Sequence, residues 1–207
     1  MDWKTAYAER ICSADEAVRR IHSGDRVFLT GNCSVPQELL AALVRFAPQV
    51  EDVEICQALT VACDDYVQPM LAGHLRVNSL FISHNVRKAI QEGRADFTPV
   101  LLSELPLLFK RGILPLDVAL VHLSPPDEEG YCTYGVEAGL TITAAESARL
   151  VIGEVNEQMP RTLGDTRIHI SKVDVIVPSN YPNAELCFTP DGPDDLVRSI
   201  AGFIAER

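Results

Sequence analysis

Short apolar runs and amphipathic helical stretches alternate along the chain, and this alternation limits the fold more than any other feature of the sequence. RVFLT (26–30), VEICQAL (53–59), VNSLFIS (77–83), TPVLL (98–102), DVALVHL (117–123), LVIGEV (150–155), RIHIS (167–171) and VDVIV (173–177) have the length and apolar content of strands. DVALVHL and LVIGEV are apolar at consecutive positions, so cover is expected on both of their faces. The intervening segments read as helices. SADEAVRRIHSGD carries Ser13 as N-cap with Glu16 at capping-box spacing, and closes on Gly24. PQELLAALVRF puts Leu39, Leu40, Leu43 and Phe46 on one helical face, with Pro36 in the first turn. NVRKAIQEG ends at Gly93, ELPLLFKRG is interrupted early by Pro106, and VEAGLTITAAESA is helical towards its end. GPDDLVRSIAGFIAER supplies a final helix with Leu196, Ile200 and Phe203 spaced for one face. Together these predict an α/β fold, an open and mostly parallel sheet with flanking helices, in a single domain over 1–207.

Charge and cysteine usage exclude several classes of function. The 207 residues hold 29 acidic and 18 basic side chains, a formal charge of −11, which argues against nucleic acid or an anionic membrane as the main partner. An anionic ligand would need a local basic pocket. The six cysteines, Cys12, Cys33, Cys56, Cys63, Cys132 and Cys187, include no C-x-x-C pair, so reduced, buried thiols are expected rather than a metal site. The amino-terminal stretch MDWKTAYAERICSADEAV lacks an apolar signal core, and no apolar run approaches the roughly 18 residues of a membrane span. These features place the protein in the cytoplasm.

In a parallel α/β sheet, ligands bind beyond the carboxyl ends of the strands. The informative loops are therefore GNCSVP (31–36), TVACDD (60–65), SPPDEEGYCTYG (124–135) and NEQMPRTLGD (156–165). In the first, Gly31 permits close backbone approach, and the N–H groups near Asn32 and Ser34 stand ahead of a helix, an anion- or carbonyl-binding arrangement. The alternative is a simple turn in which Ser34 caps the helix. Cys33 is either a thiol activated by the helix or an inert small side chain. Asn156, Met159 and Pro160 offer an amide at a strand end followed by a proline-fixed turn, either aimed over a pocket or closed on itself as an Asx turn. Tyr131 and Gly135 either shape the same cleft or only pack. His122 ends an apolar strand, where a satisfied core histidine competes with a base. Arg87, Lys88 and Arg94 read as a solvated helix face or, alternatively, as phosphate contacts.

The segments GNCSVPQELLAAL, NVRKAIQEGRADFTPVLLSELPLLF, LPLDVALVHLSPPDEEGYCTYG, EVNEQMPRTLGD and IHISKVDVIV, taken in this order, resemble the amino-terminal half of the acetyl-CoA hydrolase/4-hydroxybutyrate CoA-transferase family. The resemblance runs from about Ala17 to the last helix. It implies transfer of coenzyme A between an acyl-CoA and a short carboxylic acid of the acetate, butyrate or 4-hydroxybutyrate class, or hydrolysis of the thioester. Coenzyme A would then be a substrate and not a resident cofactor. The family's nucleophile is a glutamate that passes through an acyl anhydride and a glutamyl-CoA thioester, and it belongs to a carboxy-terminal half expected beyond Arg207. No catalytic residue is therefore expected within the chain itself. Glu38 is explained by the helix dipole and Glu128 and Glu129 by solvation, while Glu154 matches a family position other than the nucleophile's. By the same resemblance GNCSVP faces the acyl group, so the substrate-binding set is Gly31, Asn32, Ser34, Asn156, Met159 and Pro160. The implied partners are the carboxy-terminal half or a separate catalytic subunit, in a homo-oligomer, with no nucleic acid and no membrane. Two other readings of the fold are a non-catalytic subunit and a small-ligand sensor, the latter expected to carry a helix-turn-helix and a basic surface.

Overall fold

The computed structural model describes residues 3–61, 64–186 and 195–206. Its helices are α1 (Trp3–Ala6), α2 (Ala14–Ala17), α3 (Gln37–Phe46), α4 (His84–Gln91), α5 (Leu105–Lys110), α6 (Gly139–Ser147) and α7 (Asp195–Ala205). Its strands are β1 (Arg26–Leu29), β2 (Val53–Ala58), β3 (Leu75–Phe81), β4 (Asp96–Phe97), β5 (Val118–Leu123), β6 (Tyr131–Thr133), β7 (Leu150–Asn156), β8 (Arg167–His169) and β9 (Val175–Ser179). Seven of these form one sheet in the order β4-β3-β2-β1-β5-β7-β9, parallel at every pairing. The chain builds outward from β1 to β4, then returns to β5 on the other flank of β1. The strand order thus reverses between β1 and β5, where the loops on either side diverge and leave a crevice.

Helices cover both faces, as the doubly apolar strands require. Leu39, Leu40 and Leu43 of α3 and Val86 and Ala89 of α4 pack with Val27, Leu29, Ile55, Leu120 and Ile152 on one side. Phe109 of α5 and Ala144 and Ala145 of α6 pack with Phe28, Ala119, Val121 and Leu123 on the other. There the rings of Phe28 and Phe109 meet edge to face at 5.8 Å. The expected α3 stripe is buried at Leu39, Leu40 and Leu43 and half-buried at Phe46.

Four segments depart from the sequence reading. TPVLL is not a strand; the edge strand is Asp96–Phe97, just before it. Thr98 donates the last ladder bond to the Ser79 carbonyl, and Pro99 has no N–H to continue it. Leu101 and Leu102 are left exposed instead of buried. The loop SPPDEEGYCTYG contains a strand, β6, and RIHIS joins it as β8 in a separate antiparallel pair with Tyr131 opposite His169. SADEAVRRIHSGD forms only a turn of α-helix followed by a 3-10 turn at Val18–Arg20, and Gly24, at φ +82°, redirects the chain into β1 instead of ending a helix. Its start is as expected: Ser13 Oγ accepts from Glu16 N at 3.3 Å while Glu16 Oε2 accepts from Ser13 N at 3.0 Å. Ser13→Ala should lower stability by about 1 kcal/mol in urea unfolding; an unchanged midpoint would mean that so short a helix does not need its cap.

Candidate active site

Pro36 precedes α3 and offers neither an N–H nor a capping side chain, so the first turn of that helix must be satisfied from elsewhere. It is satisfied across the sheet edge. Gln37 N donates to Tyr181 Oη at 2.9 Å, and Leu39 N donates to Glu154 Oε2 at 2.9 Å. Glu154 Oε1 accepts from Ser179 Oγ at 3.3 Å and from the Tyr181 hydroxyl. Burial raises the Glu154 carboxyl to about pH 7, with the Tyr181 and Leu39 hydrogen bonds pulling against it and Glu38 adding to it. Beside it, His122 is fully buried, its Nε2 lies 3.5 Å from Tyr181 Oη, and its Nδ1 has no partner among the described residues. Burial lowers this imidazole to about 4, so it is neutral near pH 7.

These contacts and three others link the carboxyl-edge loops into a ring. Ser34 Oγ donates to the Tyr134 carbonyl at 3.3 Å, joining the loops after β1 and β5. Gly135, at φ +64°, lies so close to Met159 that a Cβ there would overlap its sulfur, joining the loops after β5 and β7. Asn156 Nδ2 donates to the Tyr181 carbonyl at 2.9 Å, joining the loops after β7 and β9. The Gln37–Tyr181 bond closes the circle.

Of the six residues read from the sequence as substrate-binding, Gly31 and Asn32 line a cleft, Ser34, Asn156 and Met159 take part in the ring, and Pro160 does neither. Gly31 does allow close backbone approach, but to its own chain: a Cβ would overlap the Ala58 carbonyl oxygen. Asn32 sits at φ +50°, where its N–H donates to Leu59 O at 2.6 Å and its carbonyl accepts from Val61 N at 3.1 Å. Ser34 is buried and does not cap α3, since its hydroxyl is turned to Tyr134. The Asn156 side chain is engaged on both ends, its Oδ1 accepting from Gln158 N at 3.0 Å in an Asx turn. Met159 is buried and Pro160 exposed. Cys33 is a half-buried free thiol.

The remaining sequence candidates fall outside the cleft. Tyr131 stacks edge-on with His169 at 5.1 Å and lies under the Arg167 guanidinium at 5.0 Å. Arg87 and Lys88 are exposed on α4, and Arg94 pairs with Glu92 at 2.6 Å. Glu38, Glu128 and Glu129 are exposed. Cys63 and Cys187 lie outside the described residues.

The cleft has a volume of about 500 Å³ and opens on the α5/α6 side of the carboxyl edge, beyond β1, β2 and β3. Its wall is mostly apolar, with Phe28, Leu59, Phe81, Leu105 and Leu140 among its residues. Glu137, which the sequence reading passed over, is the one charged side chain on that wall among the described residues. Its Oε1 accepts from Leu140 N at 3.4 Å, and the Thr141 hydroxyl donates to Oε2. Burial raises its pKa, and the bonds from Thr141, Leu140 and Gly139 oppose that rise. The signal available in the sequence was an acid just ahead of a helix start, in VEAGLT. Tyr181 was also missed, in the polar stretch SNYPN that follows β9 as the other loops follow their strands.

Residues 1–184 match the family described as acetyl-CoA hydrolase/transferase N-terminal domain. The chain belongs to that family. It is 42% identical over 186 residues to a 4-hydroxybutyrate coenzyme A transferase of Clostridium kluyveri, covering 90% of this chain and 43% of that protein. It is 36% identical over 197 residues to a succinyl-CoA:acetate/propanoyl-CoA:succinate CoA transferase of Fasciola hepatica, covering 94% and 40% respectively. Among solved structures, a 4-hydroxybutyrate CoA-transferase of Porphyromonas gingivalis superposes with a TM-score of 0.77 at 33% identity, over 92% of this chain and 44% of that one. The chain thus spans less than half the length of these relatives. As a member of the acetyl-CoA hydrolase/transferase N-terminal family, it brings an apolar cleft and a linked ring of loops to the carboxyl edge. Its buried carboxylate, Glu154, is taken up by that ring.

Proposed function

We propose that this domain forms the acyl-binding side of a CoA-transferase or acyl-CoA hydrolase that moves coenzyme A between an acyl-CoA and a short carboxylic acid. The observation that carries this is the apolar cleft at the carboxyl edge of a domain whose relatives are CoA-transferases. Gly31 and Asn32 line it, and of the six residues of the substrate-binding set they are the pair that would meet the acyl group; Ser34, Asn156 and Met159 hold the loops around it, with Pro160 exposed beside Met159. The nucleophile is a glutamate carboxylate of a carboxy-terminal domain. It attacks the thioester carbonyl, the C–S bond breaks and CoA leaves as thiolate; the thiolate then attacks the resulting anhydride at the glutamyl carbon, releasing the carboxylic acid and leaving a glutamyl-CoA thioester. Coenzyme A enters and leaves as substrate.

Three observations support the surrounding picture. Glu154 is fully buried and its oxygens are committed to Leu39, Ser179 and Tyr181, which removes it as an attacking group. The helix α7 exposes Leu196, Ile200, Phe203 and Ile204, an apolar face suited to contact with a carboxy-terminal half or a second subunit in an oligomer. Cys56 and Cys132 are buried, as expected, while Cys12 and Cys33 are half-buried, and the proposed reducing cytoplasm would keep such thiols free.

Acetyl-CoA and butyrate should give no transfer with residues 1–207 alone. Adding a carboxy-terminal half that bears the glutamate should restore turnover and build up a thioester that borohydride inactivates, because this domain binds the acyl group while the attack on the carbonyl belongs to the glutamate. Saturable turnover by the 207-residue chain, abolished by Glu154→Gln, would overturn the assignment of the nucleophile.

A further inference from the structure

Glu137 introduces a charge into a wall that is otherwise apolar or uncharged. The cleft is lined around it by Phe28, Ala58, Leu59, Leu105 and Leu140, and no lysine, arginine or histidine is on its wall among the described residues. Both carboxylate oxygens are anchored: Oε1 to the Leu140 N–H and Oε2 to the Thr141 hydroxyl, in the first turn of α6. This has two consequences. The partial positive charge of the α6 N-terminus, which would otherwise attract an anion, is already neutralised by the protein's own carboxylate. The carboxylate is also held in place by the helix and cannot swing away from an incoming group.

An acyl chain in this cleft therefore meets apolar surface along its length and, at Glu137, a hydrogen-bond acceptor with no cation beside it. An uncharged tail loses little on entering, and a tail ending in a hydroxyl can donate to the carboxylate. A tail ending in a second carboxylate would bring two like charges together in a partly dewatered pocket with nothing to compensate either of them. Discrimination of this kind works by penalising the wrong ligand and needs no extra contact to the right one.

We propose that Glu137 is a specificity-determining residue that selects acyl groups with uncharged tails, apolar or hydroxyl-terminated, and rejects dicarboxylic ones. The inference rests on the reading of the cleft as an acyl-binding site.

The test compares kcat/KM for butyryl-CoA and succinyl-CoA, with acetate as acceptor, in the enzyme assembled from this chain and its carboxy-terminal half. The unaltered protein should favour butyryl-CoA by tenfold or more. Glu137→Gln, which keeps the size and the acceptor oxygen for Leu140, should shift the ratio towards succinyl-CoA by at least tenfold. A preference for succinyl-CoA in the unaltered protein would overturn the inference without needing any variant. So would an active Glu137→Gln enzyme with an unchanged ratio. Transfer from neither thioester would instead overturn the reading of the domain as part of a CoA-transferase, and the inference with it.

Discussion

Gly31→Val is expected to cost about 3–5 kcal/mol of folding stability, enough to leave a domain of ordinary stability, about 5–15 kcal/mol, marginal or unfolded. The sequence suggests that this glycine lets a ligand approach the backbone. In the structure the close neighbour is the chain itself, since a Cβ at Gly31 would overlap the Ala58 carbonyl oxygen and stand 3.2 Å from that of Leu59. Carbonyl oxygens cannot rotate aside as a side chain can. The segment would have to move away from Leu59–Val61, and the bonds from Asn32 N to Leu59 O and from Val61 N to Asn32 O would lengthen or break. Overpacking of about 1–3 kcal/mol is then joined by about 1 kcal/mol for each lost bond. The neighbouring position is the control. Asn32 holds φ +50°, a conformation glycine adopts freely, so Asn32→Gly should unfold within about 1 kcal/mol of the unaltered protein. Urea midpoints measured on both variants decide the matter: a Gly31→Val protein as stable as the parent would show that the loop yields and that close backbone packing does not require this glycine.

The same comparison shows where the sequence was informative. Periodicity located the strands that are buried on both faces, such as Val118–Leu123, because a continuous apolar run has few other places to go. It was misleading at TPVLL, where composition is strand-like but Pro99 removes the donor that the ladder needs next. It was silent about β6, and it showed RIHIS as a strand but not its place as β8 in a separate antiparallel pair, since the pairing of Tyr131 with His169 joins residues far apart in sequence. The site divides in the same way. Local chemistry marked the loop 31–36 and the strand end at Asn156, and both do lie on the carboxyl edge. It could not show which way the side chains turn. The Ser34 hydroxyl goes to Tyr134 and the Asn156 amide to Tyr181, partners supplied by tertiary structure alone. Glu137 looked like any helix-entry acid until the fold set it against Phe28 and Leu105 of other elements.

Glu154 and His122 lie opposite each other on adjacent strands, and their titrations should oppose each other in stability. Burial raises the Glu154 pKa from 4.5 to about 7. The folded state therefore holds a proton that the unfolded chain releases, so this contribution is fully present below about pH 4.5 and is lost as pH rises through 7. Burial lowers the His122 pKa from 6.5 to about 4. Here the unfolded chain takes up the proton first, so the contribution is present above about pH 6.5 and is lost as pH falls through 4. Each displacement is worth about 3 kcal/mol. Between pH 4.5 and 6.5 the two slopes have opposite signs and similar size, and in the unaltered protein they cancel. Single substitutions should expose them. Relative to the parent, Glu154→Gln should lose about 3 kcal/mol between pH 7 and pH 4, because the histidine term is left alone. His122→Asn should lose a similar amount in the other direction, between pH 4.5 and pH 7, because the carboxylate must then ionise among Leu39, Ser179 and Tyr181 without an opposing trend. The double variant should regain the parent's shallow profile. Urea unfolding across this pH range measures all four curves, and single variants running parallel to the parent would show that neither group changes its protonation on folding.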